Sequence, residues 1–302
     1  MLLALVGPTA SGKSDAGVAI ARRMGAEIVS IDSMLVYRGM DIGTAKPSAE
    51  ERASVPHHLI DLANPSERFT VARFQVEARE VLRDIHSRAR SPLFVGGSGL
   101  YYRAVVDDLA FPPEDGSVRE ELEREADSLG AQAMYARLRA SDPVAAARIE
   151  PGNVRRVVRA LEVERLTGRR FSTFAAAWGT YEPERVRAAG VRISGEDLAV
   201  RVDARVRAML DRGLLDEVRG LMASGFGGWL TSTQAIGYAE VVGHLEGRST
   251  IEEATALTVK RTKELARRQM AWFRKDPRIR WFDAGPEGAI ALIDRVQEYL
   301  RT

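Results

Sequence analysis

The feature that most constrains this chain is a short glycine-bounded segment that follows its first apolar run. Residues 7–14 read GPTASGKS and fit the pattern G-x-x-x-x-G-K-[ST]. The apolar run before them, residues 2–6, is typical of a buried strand, and residues 13–24 have the apolar spacing of a helix. In such a turn, backbone N–H groups and the positive end of the helix surround phosphate oxygens. The sequence therefore predicts a phosphate-binding loop at the end of a strand.

Each part of this loop has a chemical use. The glycines let the backbone curl around an anion, the lysine supplies a point charge for the terminal phosphate, and the final hydroxyl can bind magnesium. We therefore assign the segment to diphosphate or nucleotide binding, with Ser14 as a ligand of a Mg²⁺ ion. The predicted loop residues are Gly7, Pro8, Thr9, Ala10, Ser11, Gly12, Lys13 and Ser14.

The order of predicted elements indicates an α/β fold. Three apolar runs alternate with helical segments, which predicts a P-loop NTPase-like parallel sheet with flanking helices. Those runs are residues 2–6, 27–31 and 92–95. Residues 112–190 have helical spacing and no convincing strand, and residues 191–193 could return the chain to the sheet. We therefore expect a helical insertion domain at 112–190 within an α/β core made of residues 1–111 and 191–302.

Composition excludes several classes of protein. With 45% hydrophobic and 28% charged residues, the chain is an ordinary globular protein, and its lack of cysteine excludes disulfide scaffolds and thiolate sites. No apolar run is long enough to span a membrane, so we expect no membrane association and a cytoplasmic location. Residues 151–192 carry nine arginines against four glutamates, which suits a surface that meets a polyanion. Solvated helix faces without a ligand are the alternative.

The loop by itself does not identify the reaction, because most such loops serve nucleotide hydrolysis or kinase transfer. Those enzymes usually place a second acidic residue at a strand end, and here only the run 27–31 leads into a carboxylate, Asp32. The side chain of Asp32 could serve as a magnesium ligand, as a general base or as a helix N-cap.

Read together, nine segments resemble one family, the tRNA dimethylallyltransferases, also called tRNA isopentenyltransferases. The segments are residues 7–14, 32–38, 41–47, 55–59, 96–101, 142–146, 153–163, 234–238 and 266–274. They follow the family order over nearly the whole chain. The resemblance implies transfer of a dimethylallyl group from dimethylallyl diphosphate to N6 of the adenosine at position 37, 3′ of the anticodon in tRNA. It also implies a monomeric, Mg²⁺-dependent enzyme that binds the anticodon stem-loop.

The resemblance also assigns catalytic roles. Asp32 matches the general base that takes a proton from the adenine amino group, while Ser33, Met34 and Leu35 match residues around the target base. Many members have glutamine where this chain has Leu35. Ser98 stands where threonine is common and is expected to contact the diphosphate or its magnesium. Arg119 matches a diphosphate-binding arginine, with an ion pair to residues 120–123 as the alternative, and Arg205 is a second such arginine.

Two further segments match tRNA-contacting parts of the family. They comprise Arg155, Arg156, Val157, Val158 and Arg159, then Gln234, Ala235, Ile236, Gly237, Tyr238 and Ala239. Tyr238 is expected to stack on a base and Gln234 to form hydrogen bonds. The last long helix carries two cationic stripes with Trp272 and Phe273 between them, which suits RNA backbone contact, although both aromatic rings could instead belong to the core. We interpret His57 and His58 as structural.

Three other functions are also compatible with a phosphate loop. A small-molecule or nucleotide kinase would transfer phosphate from ATP and would have no use for the basic segment 151–192. A non-catalytic RNA-binding ATPase would ignore an allylic diphosphate. An adenylate isopentenyltransferase would use the same donor with a small acceptor. The helical insertion and its arginines favour a large RNA acceptor.

Overall fold

The computed structural model describes residues 1–226 and 232–302, with the side chains of 175–177 excepted. The chain forms two compact units, one made of Met1–Asp108 with Tyr181–Thr302 and the other of Leu109–Thr180. The strands of the first unit are β1 (Leu2–Val6), β2 (Ala26–Ser30), β3 (His57–His58), β4 (Ser91–Gly96), β5 (Val186–Ile193) and β6 (Ile279–Ala284).

Helices follow the strands along the chain. In the first unit they are α1 (Lys13–Met24), α2 (Ala49–Ser54), α3 (Val71–Ser87) and α4 (Gly99–Val106). The second unit contains α5 (Gly116–Leu129), α6 (Ala131–Ser141), α7 (Pro143–Ala146) and α8 (Val154–Thr167). The first unit resumes with α9 (Gly195–Asp211), α10 (Leu214–Ala223), α11 (Tyr238–Leu245), α12 (Ile251–Phe273) and α13 (Ile293–Arg301).

The strands form one parallel sheet in the order β3-β2-β4-β1-β5-β6. Strand β1 is central, since Leu3 pairs with Leu93 of β4 on one side and with Arg187 of β5 on the other. Neighbouring residues of the strands belong to different cores, for example Val6 to one and Leu5 to the other. Helices therefore cover both faces, as a parallel sheet requires. The predicted α/β class with a parallel sheet is confirmed.

The boundaries of the insertion differ from the predicted ones. The second compact unit ends at Thr180, and residues 186–190 lie in β5, where Val186 pairs with Leu2. The strand is obscured in the sequence because Arg187 and Gly190 interrupt its apolar run. Gly190 is needed there, since a Cβ atom would lie 2.6 Å from Ile279 Cγ2.

The second unit has a core of its own. Buried side chains from α5, α6 and α8 meet in it, including Leu122, Leu138, Val157 and Leu161. Asp142 begins α7 by accepting a hydrogen bond from Ala145 N at 3.0 Å, which explains the Asp-Pro sequence there. Throughout residues 1–226 and 232–302, every helix is either too short or too polar to cross a membrane.

Candidate active site

The phosphate loop connects β1 to α1 as predicted. Gly12 (φ +79°) and Ala10 (φ +62°) both adopt the left-handed conformation, so the backbone curls before the helix begins at Lys13. The Lys13 ammonium is buried and donates to Pro8 O at 3.1 Å, whereas Ser14 is exposed. The loop is thus an open turn whose lysine is folded back on its own backbone.

Residues far along the chain fix the shape of this loop. Arg201 of α9 donates from Nε to Ala10 O at 2.7 Å and from a terminal nitrogen to Pro286 O at 3.0 Å. The Ala289 N–H donates to Ser11 O at 2.8 Å. Sequence reasoning missed Arg201. Its spacing of four residues from Arg205 on one helix was the available signal, because such residues share a face.

Two neighbouring cavities lie beside the loop. The first, of about 420 Å³, is lined by the loop, by Asp32, by a face of α9 that carries Arg201 and Arg205, and by Arg212 directly after this helix. The second, of about 270 Å³, lies between α9 and α12 and includes Ser33 and Met34. Residues common to both are Thr9, Asp32, Thr44, Arg205 and Met209. A molecule in the first cavity and a molecule in the second would therefore meet at Asp32.

Asp32 follows β2 at the carboxyl edge of the sheet. Its Oδ1 accepts a hydrogen bond from Met34 N at 2.9 Å, which makes a local turn. No helix begins at Asp32, so the alternative role as a helix N-cap is wrong. In the described part of the chain no hydrogen bond reaches the other carboxylate oxygen, which leaves an acceptor available at the junction of the cavities.

Two cations lie within electrostatic range of Asp32. Burial lowers the pKa of Lys13 to about 8, with Asp32 opposing this effect and Arg205 adding to it. Burial also lowers the pKa of Arg205, again opposed by Asp32. Arg205 donates to Thr9 Oγ1 at 3.2 Å, which holds its guanidinium against the loop. Since burial disfavours both charges, an anion bound between them would restore a favourable environment for each.

Ser98 and residues 33–35, which were also predicted to belong to the site, lie in different parts of it. Ser98 caps α4, since its Oγ accepts from Tyr101 N at 3.3 Å, and its own N–H donates to Ile31 O at 3.1 Å. It therefore lies at the carboxyl edge beside β2. Leu35 lines the cavity next to the loop, whereas Ser33 and Met34 line the second cavity. The group 33–35 is thus divided between the two spaces.

The protein donors fit a magnesium ion that is held mainly by a phosphate ligand. No cluster of three or more carboxylate or imidazole groups suited to a metal occurs among the residues that the structure describes. Ser14 and Asp32 do line one cavity together. Magnesium commonly takes only one or two protein ligands beside substrate phosphates and water, so a hydroxyl and a carboxylate beside a phosphate loop suffice.

Arg119 has partners inside the second unit. Its guanidinium donates to Glu162 at 2.9 and 2.6 Å, and it lies 3.5 Å from Glu114. The alternative prediction of an ion pair with residues 120–123 was therefore wrong about the partner. Arg159 donates to Glu162 at 2.9 Å and to the carbonyl oxygens of Pro112 and Pro113. Both arginines hold the start of this unit together.

The other residues of the predicted 155–159 segment lie on two different faces of α8, one exposed and one buried. Arg155 and Arg156 are exposed on α8, whereas Val157 and Val158 are buried in the core of the second unit. The helical repeat turns Val157 and Val158 inward, so the side chains that this segment can offer to tRNA are those of its exposed arginines.

Tyr238 does not have the predicted stacking position. Its ring is fully buried, and its hydroxyl donates to Glu217 Oε1 at 2.5 Å. A Cβ atom on Gly43 would lie 2.4 Å from the Tyr238 ring, so the ring packs directly on the 41–46 loop. Stacking on a base was the wrong prediction, because Tyr238 is a core residue at the start of α11.

The rest of the 234–239 segment surrounds the second cavity. Gln234 is exposed and lines it together with Ala235 and Ile236. Ala235 and Gly237 are buried, and Ala239 is half-buried on α11. The segment therefore borders the second cavity mainly through residues 234–236.

Helix α12 presents the predicted cations to solvent. Exposed members are Lys260, Arg261, Arg267 and Arg268 on the helix, with Arg274 and Lys275 directly after it, and Arg261 is also ion-paired with Glu240 at 2.6 Å. Trp272 is 40% exposed beside them, whereas Phe273 is buried in the core, as the alternative prediction held. His57 and His58 each contact a protein acceptor, Val55 O at 2.8 Å and Glu27 Oε2 at 2.7 Å, in agreement with structural roles.

Two family models match this sequence. The one described as IPP transferase covers residues 35–276, and the one described as isopentenyl transferase covers residues 1–63. The tRNA dimethylallyltransferase of Kineococcus radiotolerans is 49% identical to this chain, over 99% of the chain and 96% of the relative. The tRNA dimethylallyltransferase of Heliobacterium modesticaldum is 46% identical, over 93% and 88%.

Solved structures agree with these relatives. The full-length tRNA isopentenylpyrophosphate transferase of Bacillus halodurans aligns with a TM-score of 0.73 at 41% identity, over 99% of this chain and 95% of that one. A eukaryotic dimethylallyltransferase acting on tRNA aligns with a TM-score of 0.77 at 26% identity, over 94% and 74%.

Proposed function

The chain belongs to the IPP transferase family, and from this premise we propose that it transfers a dimethylallyl group from dimethylallyl diphosphate to tRNA. We propose N6 of the adenosine at position 37, 3′ of the anticodon, as the acceptor and diphosphate as the second product. The observation that carries the proposal is the meeting of Arg205 and Asp32 at the junction of the two cavities, with Lys13 in the lining of the first.

The donor diphosphate fits the cavity beside the phosphate loop. Its charge would be neutralised by the loop amides, by Lys13 and by Arg205, which makes diphosphate a better leaving group. A Mg²⁺ ion would be held by the diphosphate and by the Ser14 hydroxyl, and it would supply further charge neutralisation. Ser98, at the neighbouring strand end, is placed in this proposal as a polar contact to the same group.

Asp32 would act on the acceptor. The amino nitrogen forms a bond to C1 of the donor while the C1–O bond breaks, and the electron pair of that bond leaves with the diphosphate. The extra proton on nitrogen then passes to the free oxygen of Asp32. Because Met34 N fixes the first carboxylate oxygen, the second has a defined direction for accepting this proton.

An extruded base suits the second cavity, since its lining residues 234–236 and the exposed cations of α12 can contact the base and the flanking nucleotides. Arg155 and Arg156 would add phosphate contacts from α8. We place the enzyme in the cytoplasm, where unmodified tRNA is available, and we propose that it acts as a monomer, because the cavities described above are formed by one chain.

The test is incubation with dimethylallyl diphosphate, Mg²⁺ and unmodified tRNA, followed by mass analysis of the nucleosides. ATP in place of the donor tests the kinase alternative, and AMP in place of tRNA tests the adenylate alternative. Asp32→Asn is expected to lower turnover by about 10²–10⁴ with tRNA affinity unchanged, which is the usual effect of removing a general base. Asp211→Asn, an exposed change on α9, is the control. Near wild-type turnover of Asp32→Asn would show that the base is another group.

A further inference from the structure

Helix α12 contacts both loops that border the proposed donor site. The Thr9 N–H of the phosphate loop donates to Gln269 Oε1 at 2.7 Å, across 260 residues of sequence. A Cβ atom on Gly97 would lie 2.4 Å from Gln269 Nε2, and one on Gly99 would lie 2.8 Å from Trp272 Cβ. The glycines on both sides of Ser98 therefore allow α12 to approach the strand end closely.

The contact with Gln269 affects the proposed donor site through Thr9. It lines both cavities, and it is held twice, through its N–H by Gln269 and through its Oγ1 by Arg205 at 3.2 Å. A shift of Thr9 would thus move the start of the phosphate loop and also the guanidinium that faces the donor. Gln269 itself is half-buried on α12 and lines neither cavity.

We infer that Gln269 is a positioning residue for the donor, which holds the phosphate loop in its diphosphate-binding shape from α12. The inference rests on the proposed function, because it concerns the same diphosphate. Without the Gln269 acceptor, the Thr9 N–H loses its partner, and the loop is free to turn it toward water. Donor binding must then restore the loop shape, so affinity for the donor falls while the groups that act in the reaction remain.

The direct test is Gln269→Met, which keeps the side-chain length and removes the acceptor. Dimethylallyl diphosphate binding is measured by calorimetry on the full chain, and donor KM, tRNA KM and kcat are measured separately. We expect donor affinity to fall by about three- to tenfold, the usual effect of one hydrogen bond. We expect kcat at saturating donor and KM for tRNA to change by less than about twofold. A purely structural role would lower Tm and change all three constants.

Glu264→Met is the control on the same helix, since it replaces a polar side chain of the same length by methionine, with the loss of one negative charge as the only further difference. None of the hydrogen bonds within the described ranges joins Glu264 to the phosphate loop. We expect this variant to bind the donor as the wild type does. If Glu264→Met weakens donor binding equally, the effect belongs to the helix in general and the assignment of Gln269 fails.

A second pair of variants tests the contact from the other side. Gly97→Ala should displace the Gln269 amide and weaken donor binding by a similar factor. In a Gln269→Ala background only the 3.3 Å approach of the new Cβ atom to Gly7 O remains, so the same change should have a clearly smaller effect. Additive effects, or a Gln269→Met protein that binds donor as tightly as the wild type, would overturn the inference. A wild-type protein that neither binds the donor nor modifies tRNA would instead overturn the proposed function.

Discussion

The buried carboxylate of Glu162 offers a stability test of the second unit. It is fully buried on α8 and accepts hydrogen bonds from Arg119 at 2.9 and 2.6 Å, from Arg159 at 2.9 Å and from Asp115 N at 3.0 Å. The change Glu162→Ala removes all of these acceptors at once. It leaves two guanidinium groups of like charge close together at the beginning of the unit.

The expected cost follows from this arrangement. Removing one partner of a buried ion pair costs about 3–5 kcal/mol, because the remaining charge is left without compensation. Arg119 and Arg159 keep Glu114 at 3.5 and 3.8 Å, and their side chains are 14% and 22% exposed, so they retain one counter-charge and can regain some water. We therefore expect the lower part of that range, about 3 kcal/mol. Glu162→Gln keeps an acceptor oxygen and should cost about 1–3 kcal/mol.

The pH dependence has a definite sign. Burial acts to raise the pKa of Glu162, but the Asp115 N–H and both arginines outweigh burial, so the pKa lies below its ordinary value. The contribution to the free energy of unfolding is therefore complete above the unfolded pKa of about 4.3 and is lost as the pH falls through the lower folded pKa. The stability difference between wild type and Glu162→Gln should narrow below about pH 4.

Urea unfolding of the full chain, followed by circular dichroism at several pH values, measures these quantities. Glu121→Ala is the matched control, because Glu121 forms an ion pair of 2.8 Å with Arg165 in the same unit while both side chains are nearly half exposed. Such a pair is worth about 0–1 kcal/mol. If Glu162→Ala destabilises the protein no more than Glu121→Ala does, burial of this carboxylate has no energetic importance.

Two further predictions concern the proposed substrates. Because the pKa of Lys13 is lowered to about 8, kcat/KM for the donor should fall as the pH rises through 8, although deprotonation there increases stability between pH 8 and 10.5. A flat pH profile of kcat/KM up to pH 9.5 would contradict this. Arg155→Ala with Arg156→Ala should reduce the salt slope of tRNA binding by about 0.7 per lost contact, with exposed Arg148→Ala as the control. An unchanged slope would mean that this face of α8 does not contact RNA.

The elements that were predicted well are those with local signals. The phosphate loop, the strands next to it and the parallel sheet follow from short apolar runs separated by glycine, and they were placed within a few residues. Strand β5 was placed too late because Arg187 and Gly190 hide its apolar pattern. Strand β6 was missed because it is a short edge strand whose burial pattern is irregular and which includes Arg280 and Asp283.

The errors at the site have a different physical origin, since burial is decided by tertiary packing. Tyr238 looks like a stacking residue in the sequence, yet the space that it fills beside Gly43 makes it a core residue. Val157 and Val158 lie between arginines, and only the helical repeat of α8 shows that they turn inward. Arg119 and Arg159 share a partner, Glu162, that no short-range spacing connects with Arg119.

Phosphate loops occur in enzymes that catalyse different reactions, and the ligand that such a loop binds depends on the elements packed around it. Helix α9 brings Arg205 to Thr9 and Arg201 to Ala10, while α12 brings Gln269 to the Thr9 N–H. Each contact joins residues more than 190 positions apart. A loop of this kind can bind a nucleotide elsewhere, but here its neighbours place a carboxylate and a second cavity where the acceptor of an allylic group would lie. The loop therefore depends on contacts from the helices after the insertion as well as on Asp32 after β2. We expect changes in α9 and α12 to alter the reaction more selectively than changes in the loop.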